Sequence, residues 1–446
     1  MSNTDQVSRI PQDQSIREAA RRLESGSITF LQRLVVAGKD GQAAIDALVA
    51  QRLRDLGCSV EDIVYDPREV PMVDEFATQA VAVAGTARCI VGRAGHSDPD
   101  GAKNGRSLLL FAHPDTEVYK PLPKWRSDPF VPVIRDGRLF GWGVADDLAG
   151  VAVLLEGLAI LREAGMQPAG NLILISSPSK KHARGIGAAL HSGLDADAAV
   201  YLHPAESGRG LAEIKAFAPG QLEFRIAVEG KAPETNEPAH TAFAHLGVNP
   251  FMLAMRIVHG LEAYDLDRNK RIRHPILQEA IGRSTNLMLT HCAYGDMGVP
   301  TRIASNCTIG GAISLIPGER LDAVMAEIEA VAVAATAGDE WLSAHPPRFD
   351  WIAGVSAAET SLEADIYKCV SAAIIDAGTV PEVNPLHTSS DIRNPIIQKQ
   401  IPTVGYGPLC GGLSMAGLSD EWIDVADYLR TIRVTASVIT AWCGVR

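Results

Sequence analysis

Long hydrophobic runs are missing from this 446-residue chain. No uncharged apolar stretch reaches the roughly 18 residues that a membrane-spanning helix needs, so no such span is expected. The opening residues, MSNTDQVSRIPQDQ, are polar and hold no apolar core, which predicts no secretory signal and a cytoplasmic protein. Cysteine is scarce: Cys58, Cys89, Cys292, Cys307, Cys369, Cys410 and Cys443 are odd in number and scattered, with no Cys-x-x-Cys pair. That argues against a disulfide framework and a zinc knuckle, and reduced thiols are the simplest reading. Basic charge is in deficit, with 41 Lys and Arg against 53 Asp and Glu and a net charge of −12. A general nucleic-acid or polyanion binder is disfavoured, because neutralising phosphates takes clustered Lys and Arg. What remains, 46% hydrophobic and 21% charged, is a globular composition with length for about two or three domains.

The first part of the chain alternates strand-like and helix-like segments. Residues 107–111, 171–176 and 198–202 are short apolar runs that read as buried strands. Between the first two, Leu148, Val151, Leu155, Leu158 and Leu161 follow helical spacing; Asp146 or Asp147 can cap the start, and Gly165 ends it. This alternation predicts an α/β fold with a mostly parallel sheet, whose ligands gather at the carboxyl ends of strands. His113, Ser177 and His203 each fall just past such an end. Near residue 215 the pattern changes. Strict alternation over 222–228 fits a half-exposed antiparallel strand. A helix from Pro250 to about Tyr264, strands at 286–292 and 304–315, and a helix at 319–335 then complete a βαββα-like α+β block. Residues 1–215 and 336–446 therefore read as one α/β domain, interrupted by a second at 216–335. After the interruption come a helix near 361–377, a strand at 402–406 and a terminal helix from about 422.

The chemistry begins with FAHPDTE, residues 111–117. A His-x-Asp at a strand end can place an imidazole on a metal while the carboxylate holds the ring. Further along the chain, Trp125, Asp128, Pro129, Phe130, Gly141, Gly143 and Asp146 reproduce in order and spacing a long signature. It resembles that of the co-catalytic zinc aminoacylases, which include acetylornithine deacetylase, succinyl-diaminopimelate desuccinylase and carboxypeptidase G. The resemblance covers most of the chain. It implies a catalytic α/β domain with an α+β lid or dimerisation domain, a homodimer or higher homo-oligomer, and a small carboxylate-bearing substrate. In that family two metals share a site. Carried over by position, His113 is a metal ligand, Asp115 its orienting carboxylate and Asp146 the bridging ligand.

Other positions depart from the family pattern. The family's Glu-Glu pair, which supplies the general base and a ligand, belongs just after residues 171–176. No Asp or Glu occurs between Glu163 and Asp195. Depending on register, Lys181 and His182, or Lys180 and Lys181, stand there instead. The later acidic ligand is replaced by His203, in His203-Pro204, and imidazole is a competent substitute. The C-terminal metal histidine belongs near 416–417, where the chain has Ala416 and Gly417. His113, Asp146 and His203 remain for one divalent transition metal, with Mn expected and Zn or Fe able to use the same donors. His182 is the only visible candidate to rebuild a second site, and it is also a candidate catalytic group with Asp115.

The resemblance also puts His240 at the position that reaches a partner subunit's site, with 231–239 as an insertion before it. SSDIRNP resembles the family's Thr-Asp-x-Arg turn, and Arg393 either grips a substrate carboxylate or forms a structural ion pair. Glu117 and Glu206 are further candidate bases, each equally well read as a solvated surface residue. Without the family's first Glu, ordinary amide cleavage should be impaired. A lysine serves as a base only with a depressed pKa. The expected reaction is therefore hydrolytic deamination of an electron-poor aromatic amine. An N-acyl amino acid amidase and a non-catalytic binding protein are the alternatives.

Overall fold

The computed structural model describes residues 14–77, 85–95, 105–119, 125–180, 183–204, 208–386, 390–412 and 420–446. It divides into two compact units. The first is built from residues 1–73, 82–218 and 359–446, the second from 74–81 and 219–358. No helix among the described residues is long and apolar enough to cross a membrane.

The first unit carries a six-stranded mixed sheet in the order Ser59–Tyr65, Ala87–Ala94, Leu172–Ser176, Leu108–Ala112, Ala198–Leu202, Thr403–Tyr406. The last four strands pair in parallel, and the first two run antiparallel to their neighbours. LLLFA, LILIS and AAVYL are buried at every position, because helices cover both faces. Leu108 and Leu110 face a core shared with the helices Gln14–Gly38, Gln42–Asp55, Ala149–Glu163 and Val425–Cys443. Leu109 and Phe111 face the opposite core, beside Ile186, Leu190 and Ile392. The α/β fold expected from the alternation is the one observed.

The helix Ala149–Glu163 starts as its sequence predicts. Asp147 Oδ1 accepts from the Gly150 amide at 3.2 Å, and Gly165 ends the helix at φ +72°. Gly150 has a second role. A Cβ there would lie 1.9 Å from the Leu202 carbonyl oxygen, so only glycine lets this helix abut the strand that ends at Leu202. Gly150→Ala is expected to cost about 3 kcal/mol by overpacking, read as a lower urea midpoint with unchanged slope.

The second unit is a five-stranded antiparallel sheet in the order Leu287–Tyr294, Asn306–Leu315, Gly220–Glu229, Arg348–Val355, Glu75–Ala77. Helices Pro250–Arg271 and Leu321–Ala335 pack on it through Leu253, Ile257, Leu261, Val324 and Ile328. Burial alternates along Gly220–Glu229, as the sequence pattern requires. The boundary at 335 moves, however. Arg348–Val355 pairs with Gly220–Glu229, from Gln221 opposite Val355 to Ala227 opposite Arg348, which carries residues up to 358 into this unit. Glu75–Ala77 joins the same edge. Long-range strand pairing of this kind leaves no mark in local periodicity.

Candidate metal centre

Parallel strands deliver their carboxyl ends to one place, and this brings His113 and His203 together with ring centroids 5.4 Å apart. Between them stands Asp146. Its Oδ1 lies 3.1 Å from His113 Nε2 and 3.4 Å from His203 Nε2, and all three side chains are buried. Each ring turns Nδ1 towards a carbonyl, His113 to Asp115 O at 3.0 Å and His203 to Pro204 O at 2.8 Å. A carbonyl only accepts, so a proton held on Nδ1 there would leave each Nε2 lone pair available to a cation beside Asp146. Two imidazole nitrogens and a carboxylate oxygen converging in this way fit a divalent transition metal.

The surroundings set the charges. Burial and the neighbouring Lys215 charge push His203 down to about 3, which keeps it the neutral imidazole that ligation needs. Burial alone would lower His113 too, but Asp115, Asp146 and Asp147 hold it well above the usual histidine range. These carboxylates make the pocket attractive to a cation. Asp115 is buried, which raises its pKa, yet His113 and the backbone N–H groups of Ser179 and Lys180 outweigh burial and keep it low. Its Oδ1 accepts from the Ser179 amide at 2.7 Å and lies 3.5 Å from His113 Nδ1.

Three residues at the site escaped the sequence reading. Asp147, whose carboxylate belongs to the same 4.8 Å cluster as His113 and His203, accepts from the His113 and Gly150 amides. That pins it to the backbone, and Asp146 is the carboxylate that faces both rings. Lys215 is fully buried; its Nζ reaches the carbonyls of His203 and Pro204 at 3.0 and 2.8 Å and lies 2.9 Å from His203 Nδ1. Its signal was a lysine flanked by apolar residues in IKAFA. Glu421 accepts from the amides of Gly143, Ala145 and Asp146 at 2.9, 2.7 and 3.1 Å, and so holds the turn that presents Asp146. Burial and the Asp146 charge push its carboxyl up to about 7, against the pull of those amides.

Lys180 is one of the residues that, depending on register, stand at the expected Glu-Glu pair. Its Nζ contacts Asp146 Oδ2, the oxygen turned away from the histidines, and lies 3.8 Å from Glu117 Oε1. Glu117 is half-buried. Arg393 is 1% exposed; its guanidinium donates to the Ser390 carbonyl at 3.2 Å and stands 3.6 Å from Asp391, contacts of the ion-pair kind. His240 belongs to the second unit. It is exposed, with Nδ1 accepting from the Ala242 amide at 3.1 Å, and His245 is exposed as well. Lys181, His182, Glu206, Ala416 and Gly417 lie outside the described residues.

Two imidazoles sharing a carboxylate oxygen at the carboxyl ends of a parallel sheet suit a water-activating metal, and the chain falls in the class of metal-dependent hydrolases. It belongs to the peptidase family M20/M25/M40, which it matches over residues 109–441. An N-formyl-4-amino-5-aminomethyl-2-methylpyrimidine deformylase of Halalkalibacterium halodurans is 23% identical over 361 residues, covering 76% of this chain and 80% of the relative. The fold is shared with the aminopeptidase PepT of Bacillus cereus, with a TM-score of 0.65, 16% identity and coverage of 95% and 98% of the two chains. It is shared as well with a dinuclear metal-binding peptidase of Bacillus subtilis, with a TM-score of 0.59, 14% identity and coverage of 95% and 99%.

Proposed function

We propose that this chain hydrolyses the C–N bond of an electron-poor aromatic amine bearing a carboxylate. 5-Nitroanthranilate is the specific candidate, which with water gives 5-nitrosalicylate and ammonia. The observation that carries this reading is Lys180 on Asp146, in a stretch without any acid from 164 to 194. Family amidases use a glutamate there to carry a proton to the leaving amine. This chain has an ammonium instead. A ring with a nitro group para to its amine takes the developing negative charge itself and relies less on such a relay.

His113, Asp146 and His203 would hold one divalent metal, which when bound lowers the pKa of water to about 7 and so makes a nucleophile available near neutrality. Asp115 orients His113, and Glu421 holds the turn that carries Asp146. Lys180 and Lys215 add positive charge at the same place, which favours an anionic substrate and an anionic ring as it forms. Arg393 or His240 is proposed to contact the substrate's carboxylate or nitro group.

The second reading is amide hydrolysis of an N-acyl or N-formyl amine, with Lys180, Lys181 or His182 as the proton carrier. It is favoured by the deformylase activity named for the Halalkalibacterium relative. Ammonia release from 5-nitroanthranilate, measured beside an N-formyl and N-acyl amino acid panel, separates the two. The expected result is ammonia from the nitroaromatic alone, lost on treatment with a chelator and restored by Mn. Turnover of the panel alone assigns the amide reaction, and no turnover of either leaves a binding protein.

A further inference from the structure

In the first unit, the helices Gln14–Gly38 and Val425–Cys443 border a cavity of about 390 Å3. Four guanidinium side chains line it: Arg17, Arg21, Arg430 and Arg433. Glu24 is the one acid among the lining residues. Arg430 is partly neutralised, with Nη2 2.5 Å from Asp427 Oδ1, but its Nε is buried without a hydrogen-bond partner. The side chains of Arg17, Arg21 and Arg433 form no ion pair among the described residues. Arg17 and Arg21 are one turn apart on the same helix, where like charges repel. Burial and then the charges of Arg17, Arg430 and Arg21 lower the Arg433 pKa. A fold carrying net charge −12 has thus gathered four cations around a half-open cavity, three of them without an ion-pair partner among the described residues.

We propose that this cavity binds a small phosphate-bearing anion at a site separate from the metal centre. Guanidinium forks match phosphate oxygens bidentately, and a volume of about 390 Å3 falls within the range of small-molecule sites. An incoming anion relieves the repulsion among the four arginines. Separation follows from the helix Ala149–Glu163. Its amino end adjoins Asp146, whereas Ile160, which lines the cavity, lies roughly 16 Å further along at 1.5 Å per residue.

The test is calorimetric titration of the full-length protein with inorganic phosphate and, separately, with pyrophosphate at constant ionic strength. Binding is expected for at least one of them, and which one distinguishes a free phosphate from a phosphorylated compound. The double variant Arg17→Gln/Arg433→Gln is expected to weaken binding by about tenfold or more. His203→Ala is expected to leave binding intact, which rules out phosphate on the metal centre. Without phosphate, the double variant should melt no lower than the parent, because only repulsion has been removed. Absence of binding by both probes overturns the proposal. So does unchanged binding in the double variant, loss of binding in His203→Ala, or a lower melting temperature in the double variant. Self-association that disappears in the double variant, without phosphate binding, assigns the face to a second copy of the chain and also overturns it.

Discussion

His203→Ala is expected to lose metal and turnover together, with activity falling by roughly a thousandfold or more. Removing groups that merely support a metal ligand typically costs about ten- to a hundredfold, so deleting one of three ligands should cost more. His203 Nε2 faces the Asp146 oxygen that also faces His113. Elemental analysis and ammonia release measured on the same preparation check the result. His203→Asp supplies the control. It supplies a carboxylate donor in place of the imidazole, so metal should return even if rate does not. An alanine variant with full metal and full turnover would remove His203 from the site.

Lys180→Glu is expected to change the metal count. In the parent, the ammonium neutralises Asp146 Oδ2, the oxygen that would face a second ion. The substitution puts a carboxylate against a buried carboxylate, and two such groups cannot both stay ionised without a cation between them. Uptake should rise from about one divalent ion per subunit to about two, with the second bound more weakly because residues 416 and 417 are not ligands. Deamination should fall, since the positive charge at Lys180 is lost. Titration with Mn, followed by metal analysis after gel filtration, reads the count. A count that stays at about one would mean that Lys180 does not stand in for a metal.

Legibility of the fold followed burial. The strands at 108–112, 172–176 and 198–202 match their sequence ranges within about one residue, because helices on both faces make each an uninterrupted apolar run. The terminal helix begins at Val425 rather than 422, since Trp422–Asp424 pairs with Arg138–Phe140, a contact made across the chain. The helix Gln14–Gly38 was not legible. Ser25-Gly26-Ser27 inside it reads as a turn. Yet Ser27 is buried and donates to Glu156 at 2.9 Å, so tertiary packing overrides local preference.

The sequence by itself determined the two histidines just past strand ends, the Asp146 turn, and the absence of every acid between Glu163 and Asp195. Those are matters of residue identity and short-range pattern. Which charges meet was decided only by the tertiary structure. Glu421 holds the Asp146 turn from 275 residues away, Lys215 sits behind His203, and Lys180 takes the free oxygen of Asp146. The net charge of −12 argued against a general nucleic-acid or polyanion binder, whereas the fold brings Arg17 and Arg21 to Arg430 and Arg433 around one cavity. Electrostatic energy depends on separation and burial, and neither is written in the order of residues along a chain.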